Sequence, residues 1–266
     1  MRTIILLLVA LAGSTAARAD FSYTMTRKTA QGAGEVTKTS VKGQKMMIEG
    51  ARTSTLIDFD AQTVTAISHS DKTYRVRKFA EMAQPTSGMS VTADVKETGQ
   101  KKNINGYDAS EMLMTVETEN PGRQGMQMQL EIHIWVARDV PGAAELSAFY
   151  RRNRDHFPWA AIGGGAASSM GKAMADIQRK LASLNGVPVL EVIKTNMGGA
   201  QQAQMEQMRA RLEEMQKQGG QQAAMASQAL ARMGGGFETT MEGGNYSTAG
   251  IPDSVFAIPA GYTAQH

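Results

Sequence analysis

The chain has 266 residues, no cysteine, 19 methionines and a net charge of +3. Without cysteine it has no thiolate chemistry, disulfide or cysteine-based metal site. A balance this close to neutral also lacks the concentrated basic field that a nucleic-acid binder uses, and the densest basic group, Arg151, Arg152 and Arg154, reads as the wet face of a helix.

Met1-Arg2-Thr3, an apolar run from Ile4 through Leu11 and the small-residue stretch Ala16-Ala17-Arg18-Ala19 predict a secretory signal peptide cleaved after Ala19, because the run is too short to span a bilayer. No cysteine follows that cleavage site to take a lipid anchor, and no later segment has the apolar length of a spanning helix. Removing 19 of the 266 residues leaves 247 and, with Arg2 and Arg18 gone, a charge of +1. A chain of that length buries roughly three quarters of its extended surface, so residues 20–266 are expected to form one domain in the periplasm with a full core and no staples.

From Phe21 to about Val136 the pattern has the period of strands, and recurring turn residues make this half a β-meander. Phe21, Tyr23 and Met25 alternate with Ser22, Thr24 and Thr26; Lys45 to Glu49, Thr55 to Phe59, Thr63 to Ser68 and Thr73 to Arg77 follow, with turns at Asp60-Ala61-Gln62 and near Ser70-Asp71. Val91 to Val95 and Gly106 to Val116 continue the series. In the next strand Met126, Met128, Leu130, Ile132, Ile134 and Val136 face Gln127, Gln129, Glu131, His133 and Trp135, giving one apolar and one largely polar side.

After Pro141 the period becomes helical, with Leu146, Phe149 and Tyr150 on one face and later Met170, Met174, Ile177, Leu181 and Leu184, stopped by Asn185-Gly186. A strand returns at Val187 to Thr195. Residues 199–236 form a Gln-, Ala- and Met-rich insertion, split by Gly219-Gly220 into two short helices that are expected to project as a hairpin. A strand from about Phe237 to Thr248 is expected to pair with Val187 to Thr195, and an Ile251 to Tyr262 tail to close the domain.

The expected class is therefore α+β, a curved antiparallel sheet covered by helices, with a projecting Met/Gln-rich helical hairpin. This order, together with Leu56-Ile57-Asp58 and Lys72-Thr73-Tyr74, Ile104-Asn105-Gly106-Tyr107, Trp135 and Val255-Phe256-Ala257-Ile258-Pro259-Ala260-Gly261-Tyr262, resembles an uncharacterised periplasmic domain-of-unknown-function family (4412-type). The resemblance implies a fold like that of the lipoprotein carrier LolA, an incomplete barrel whose concave face admits an acyl chain. It implies no catalytic residues, and the 199–236 insertion departs from the pattern.

Chemistry-bearing motifs are absent. The glycines before Gly171-Lys172 miss the phosphate-loop pattern at Ala166 and Ala173, no G-x-S-x-G turn presents a nucleophile, and His69, His133, His156 and His266 lack metal-ligand spacing. His133 with Glu131 and Trp135 reads as a surface stripe. The chain is read as non-enzymatic and without a cofactor. Its methionines have three readings: core filling, an adaptable lining for a variable lipid, or soft ligands for Cu(I) at Met197, Met205 and Met208.

The leading expectation is a periplasmic binding protein for a hydrophobic ligand, lipid or lipoprotein acyl chain, with Met112, Met114, Met128, Leu130, Ile132, Ile134, Met170, Met174 and Ile177 lining the cavity or core. A second is an envelope module that docks a protein partner through the 199–236 hairpin.

Overall fold

The structure is a computed structural model that describes residues 20–29, 32–82, 90–119, 127–154, 156–158, 186–198, 200–217, 223, 225–227 and 237–265. Six strands come first: β1 (Phe21–Thr29), β2 (Gly32–Lys42), β3 (Lys45–Glu49), β4 (Thr53–Asp58), β5 (Thr63–Ser68) and β6 (Thr73–Lys78). After a single turn, α1 (Phe79–Met82), come β7 (Ser90–Ile104), β8 (Tyr107–Glu119) and β9 (Gln127–Ala137), then α2 (Ala143–Asn153), β10 (Val187–Gly198), α3 (Ala200–Lys217), β11 (Phe237–Ser247) and the two-residue β12 (Thr263–Ala264).

Local chemistry fixes the hairpins. The Asp58 carboxylate accepts from the Ala61 N–H at 2.9 Å and Gln62 takes a left-handed conformation, which closes β4 onto β5. Ser68 donates to Asp71 at 2.7 Å before left-handed Lys72 at the next turn. Consecutive positive φ at Asn105 and Gly106 gives the β7–β8 hairpin the twist that matches its strands.

All twelve strands belong to one sheet, in the order β12-β6-β5-β4-β3-β2-β1-β11-β10-β9-β8-β7. The expected pairing of the late strands is present, with Leu190 opposite Glu242 and Thr195 opposite Phe237. β11 also pairs with β1, so β10 and β11 join the two meanders.

The sheet coils. On a flat sheet β5 and β9 would stand about 34 Å apart, seven steps of roughly 4.8 Å. Yet Ile57 and Val64 share one buried cluster with Trp135 and Ala137, together with Leu146 and Phe149 of α2. The strands must therefore wrap around this helix. Bulges where β1 meets β11, where β9 meets β10 and where β7 meets β8 supply the added twist. Left-handed Gly142 brings the start of α2 so close to the Phe21 ring that a β-carbon there would overlap it.

Two smaller clusters complete the packing. Val95, Met112, Met114, Val116, Ile134 and Val136 form one on β7–β9. Met47, Leu56 and Ile67 form the other with Ile251 and Phe256 from the C-terminal segment. The Val255 to Tyr262 motif thus has a structural role, packing Phe256 and Tyr262 on β3–β6 and delivering β12 in parallel to β6.

The α+β class with a helical cover is overturned: the described residues form a predominantly β structure, one large open twelve-stranded sheet with few short helices. Of those helices, α2 packs a buried face into the main core, and the single turn α1 adds the partly buried Phe79 and Met82 at its margin. In α3 none of the described side chains is fully buried. Met170, Met174, Ile177, Leu181 and Leu184, which carried the expectation of a cover, lie outside the described residues, as do residues 1–19 with the expected leader.

Candidate functional site

The residues expected to line a cavity fall into two groups. Met112, Met114, Leu130, Ile132 and Ile134 come together on β8 and β9, where Met112 faces Ile134, Met114 faces Ile132 and Val116 faces Leu130. Directly opposed residues of an antiparallel pair share a face, and Val95 of β7 extends that face opposite Met114. Met112, Met114 and Ile134 are buried, while Leu130 and Ile132 are half-buried at the margin. The backbone of Met128 pairs with Met197 and Thr118, but the side chains of Met128, Met197 and Met205 are outside the description. Met170, Met174 and Ile177 are outside it altogether.

The same row of the sheet continues into a carboxylate that sequence reasoning missed. Met112 faces Ile134, Ile134 faces Glu191 and Glu191 faces Met241. Glu191 is half-buried, no cation is paired with it among the described residues, and burial pushes its carboxyl up to about 7. A single acid within Val187-Pro188-Val189-Leu190-Glu191-Val192-Ile193 was the available signal, since an unpaired acid is rare in an otherwise apolar strand.

Tyrosines stand beside this acid. The Tyr23 hydroxyl is hydrogen-bonded to Thr39 and Tyr150. Burial raises Tyr23 first, and the Glu191 charge adds to it; Tyr150 is pushed well above its ordinary value by burial, then by Tyr23 and Glu191. Tyr246 stacks on Tyr23 at 6.3 Å between ring centroids and meets Tyr107 edge-on at 5.5 Å. On the other side Tyr150 leads through Phe157 to Phe59, at 5.4 and 5.3 Å. Tyr23, Tyr107, Tyr150 and Tyr246 are all half-buried, so this aromatic lane borders the core and is not sealed within it.

A second polar cluster lies on the other side of β8 and β9. His133 Nδ1 is 2.7 Å from Glu111 and its Nε2 is 2.7 Å from Glu131, while Thr98 donates to the remaining Glu111 oxygen at 2.6 Å. Glu111 is only 5% exposed. Burial raises its carboxyl, but hydrogen bonds from Thr98 and His133 and the charges of His133 and Lys194 outweigh burial, leaving it below its ordinary value. The surface stripe read from sequence is thus a hydrogen-bonded chain. It borders a cleft of about 110 Å³ at the β7 bulge, lined by residues that include Gly99, Lys101, Ser110 and Arg138, well below the roughly 300 Å³ of the smallest usual ligand pockets.

His69 does not engage Asp71. Its Nε2 lies 2.7 Å from the Ser54 hydroxyl and its Nδ1 2.9 Å from that of Tyr262. Ser54 is buried, and the partner on the ring's far side is a phenol and not a carboxylate, so the trio ties the C-terminal segment to β4–β5. Among the described residues no group of three His, Cys, Asp or Glu could hold a metal ion, and no helix is long and apolar enough to cross a membrane.

The chain belongs to the family described as Domain of unknown function (DUF4412), whose model matches residues 20–157, from the start of β1 past the end of α2. No curated protein matches it. Among solved structures, one described as the structure of PNGF-II in C2 space group is similar at 11% identity with a TM-score of 0.36, over 93% of this chain and 31% of that one. The present chain thus spans about 31% of that structure's length. A likeness at this score carries no argument, and the lipoprotein-carrier fold gains no support from it.

Proposed function

We propose that the chain is an exported, non-enzymatic periplasmic binding protein that holds a hydrophobic ligand, a lipid or lipoprotein acyl chain, along the apolar strip of β7, β8 and β9. The observation that carries this reading is that strip itself: an apolar cluster that, among the described residues, is built by strands and is separate from the core around α2, with Met112 and Met114 at its centre. Methionine adapts to ligands of variable shape better than branched side chains do. Export rests on the Ile4 to Leu11 run and the Ala17-Arg18-Ala19 site.

The test is native mass spectrometry, with lipid extraction, of the chain from Asp20 onward purified from a periplasm without detergent. Co-purifying lipid that is lost in Met114→Glu supports the reading. Protein that carries no lipid and does not take up fluorescent fatty acids or fatty alcohols overturns it.

A second reading has one specific support. Met208 on α3 is 50% exposed and Met225 is 65% exposed, so the insertion presents apolar side chains for a protein partner in the envelope. Deletion of residues 199–236 that leaves partner capture intact removes this reading.

A further inference from the structure

We propose that Glu191, together with the hydroxyls of Tyr23 and Tyr150, is the head-group site of this binding surface, and that it selects a long-chain amine whose ammonium pairs with the carboxylate while its chain lies along Ile132 and Leu130, the half-buried residues of the strip. The inference rests on the reading of the strip as a ligand surface and names the class of ligand it takes.

Three observations carry it. The first is register. Glu191 directly faces Ile134, and Ile134 directly faces Met112, so the carboxylate stands at the margin of the apolar strip, one strand from its edge. Opposed side chains sit about 5 Å apart, which places head-group and chain sites within a single amphiphile's length.

The second is charge. Among the described residues Glu191 has no ion pair, and its row offers only Arg27, exposed and two strands away, roughly 10 Å at the usual strand spacing. A half-buried carboxylate is costly to ionise, and a ligand that brings a cation to it recovers that cost. A carboxylate head would add a second negative charge beside it and is disfavoured.

The third is the neighbourhood. Tyr23 and Tyr150 are hydrogen-bonded to each other, and both feel the Glu191 charge. Their hydroxyl oxygens can accept from an ammonium, and tyrosine rings attract cations at their faces. Glu191, Tyr23 and Tyr150 are half-buried, so the site is reachable from solvent.

Glu111, the more buried carboxylate, is no competitor, because Thr98 and His133 already satisfy it.

The experiment is calorimetric titration of the chain from Asp20 onward with dodecylamine, dodecanol and dodecanoate, each below its micelle concentration, at pH 8. Dodecylamine is expected to bind about tenfold more tightly than dodecanol, a difference of about 1.4 kcal/mol, and dodecanoate more weakly than either. Glu191→Gln, which keeps the side-chain shape, should bring amine and alcohol to equal affinity, and Tyr23→Phe should narrow the gap. Alcohol binding as tightly as amine, or an amine preference that survives Glu191→Gln, overturns the inference and leaves the ligand surface standing. Binding of none of the three overturns both.

Discussion

Glu191 couples the proposed binding site to the stability of the fold. An isolated glutamate titrates near 4.5 and this one near 7, so the folded state holds its proton more tightly than the unfolded state. Its contribution is therefore complete below about pH 4.5 and is lost as pH rises through 7. Glu191→Gln removes that dependence: the variant is expected to match the parent near pH 4 and to exceed it at pH 8 by about 1–3 kcal/mol, measured by urea unfolding at both values. Glu111 has the opposite sign. Its folded value is lowered, so its stabilisation is present above 4.5 and is lost as pH falls through the folded value. Glu111→Gln should cost about 1–3 kcal/mol at pH 7, because the charged hydrogen bonds from Thr98 and His133 are lost, and the gap should shrink below pH 4. At Gly142 the left-handed backbone and the Phe21 ring both exclude a β-carbon; Gly142→Ala should lower stability by about 2–4 kcal/mol in the same assay.

Most strands could be read from alternation because one side of each is buried. β4, β5, β9 and the β10–β11 pairing follow that rule. β2 was not expected, and its residues explain why: Gly32-Ala33-Gly34-Glu35-Val36-Thr37 carries little apolar signal, Val36 is 52% exposed, and the burial at Thr39 and Ser40 falls on polar side chains. Its place between β1 and β3 is dictated by backbone pairing, which leaves no trace in hydropathy. β7 was anticipated only over Val91 to Val95, because its bulge between Glu97 and Lys101 breaks the period of two and so hides the remainder. The candidate strip was legible for the same reason β9 was, whereas Glu191 needed the register. In the C-terminal segment, Tyr262 meets His69, Phe256 packs on β3–β6, and β12 pairs with the edge of β6. Removing residues 251–266 should uncover that apolar face and a strand edge, so the truncated chain is expected to aggregate by light scattering. Tyr262→Phe, which loses one hydrogen bond, should cost only about 1 kcal/mol.

At the scale of the molecule, the long sheet does the work that helices were expected to do. By coiling around α2, its two meanders reach a common core built on Phe21, Ile57, Trp135, Leu146 and Phe149, and the β7–β9 strip remains as a separate apolar cluster. Leu146→Ala in the middle of that core should cost about 2–5 kcal/mol, more than any substitution in the strip, because both ends of the sheet lean on this helix. Helical periodicity in sequence cannot distinguish a helix that plugs a coiled sheet from helices that roof a flat one, and the difference decides where a ligand surface is left. The claim that the strip is that surface is tested most directly by methyl NMR of methionine-labelled protein titrated with dodecylamine. The account predicts shifts at Met112 and Met114 with Met46 and Met47, in the other two clusters, unmoved; shifts at Met46 or Met47 alone, or none at all, would contradict it.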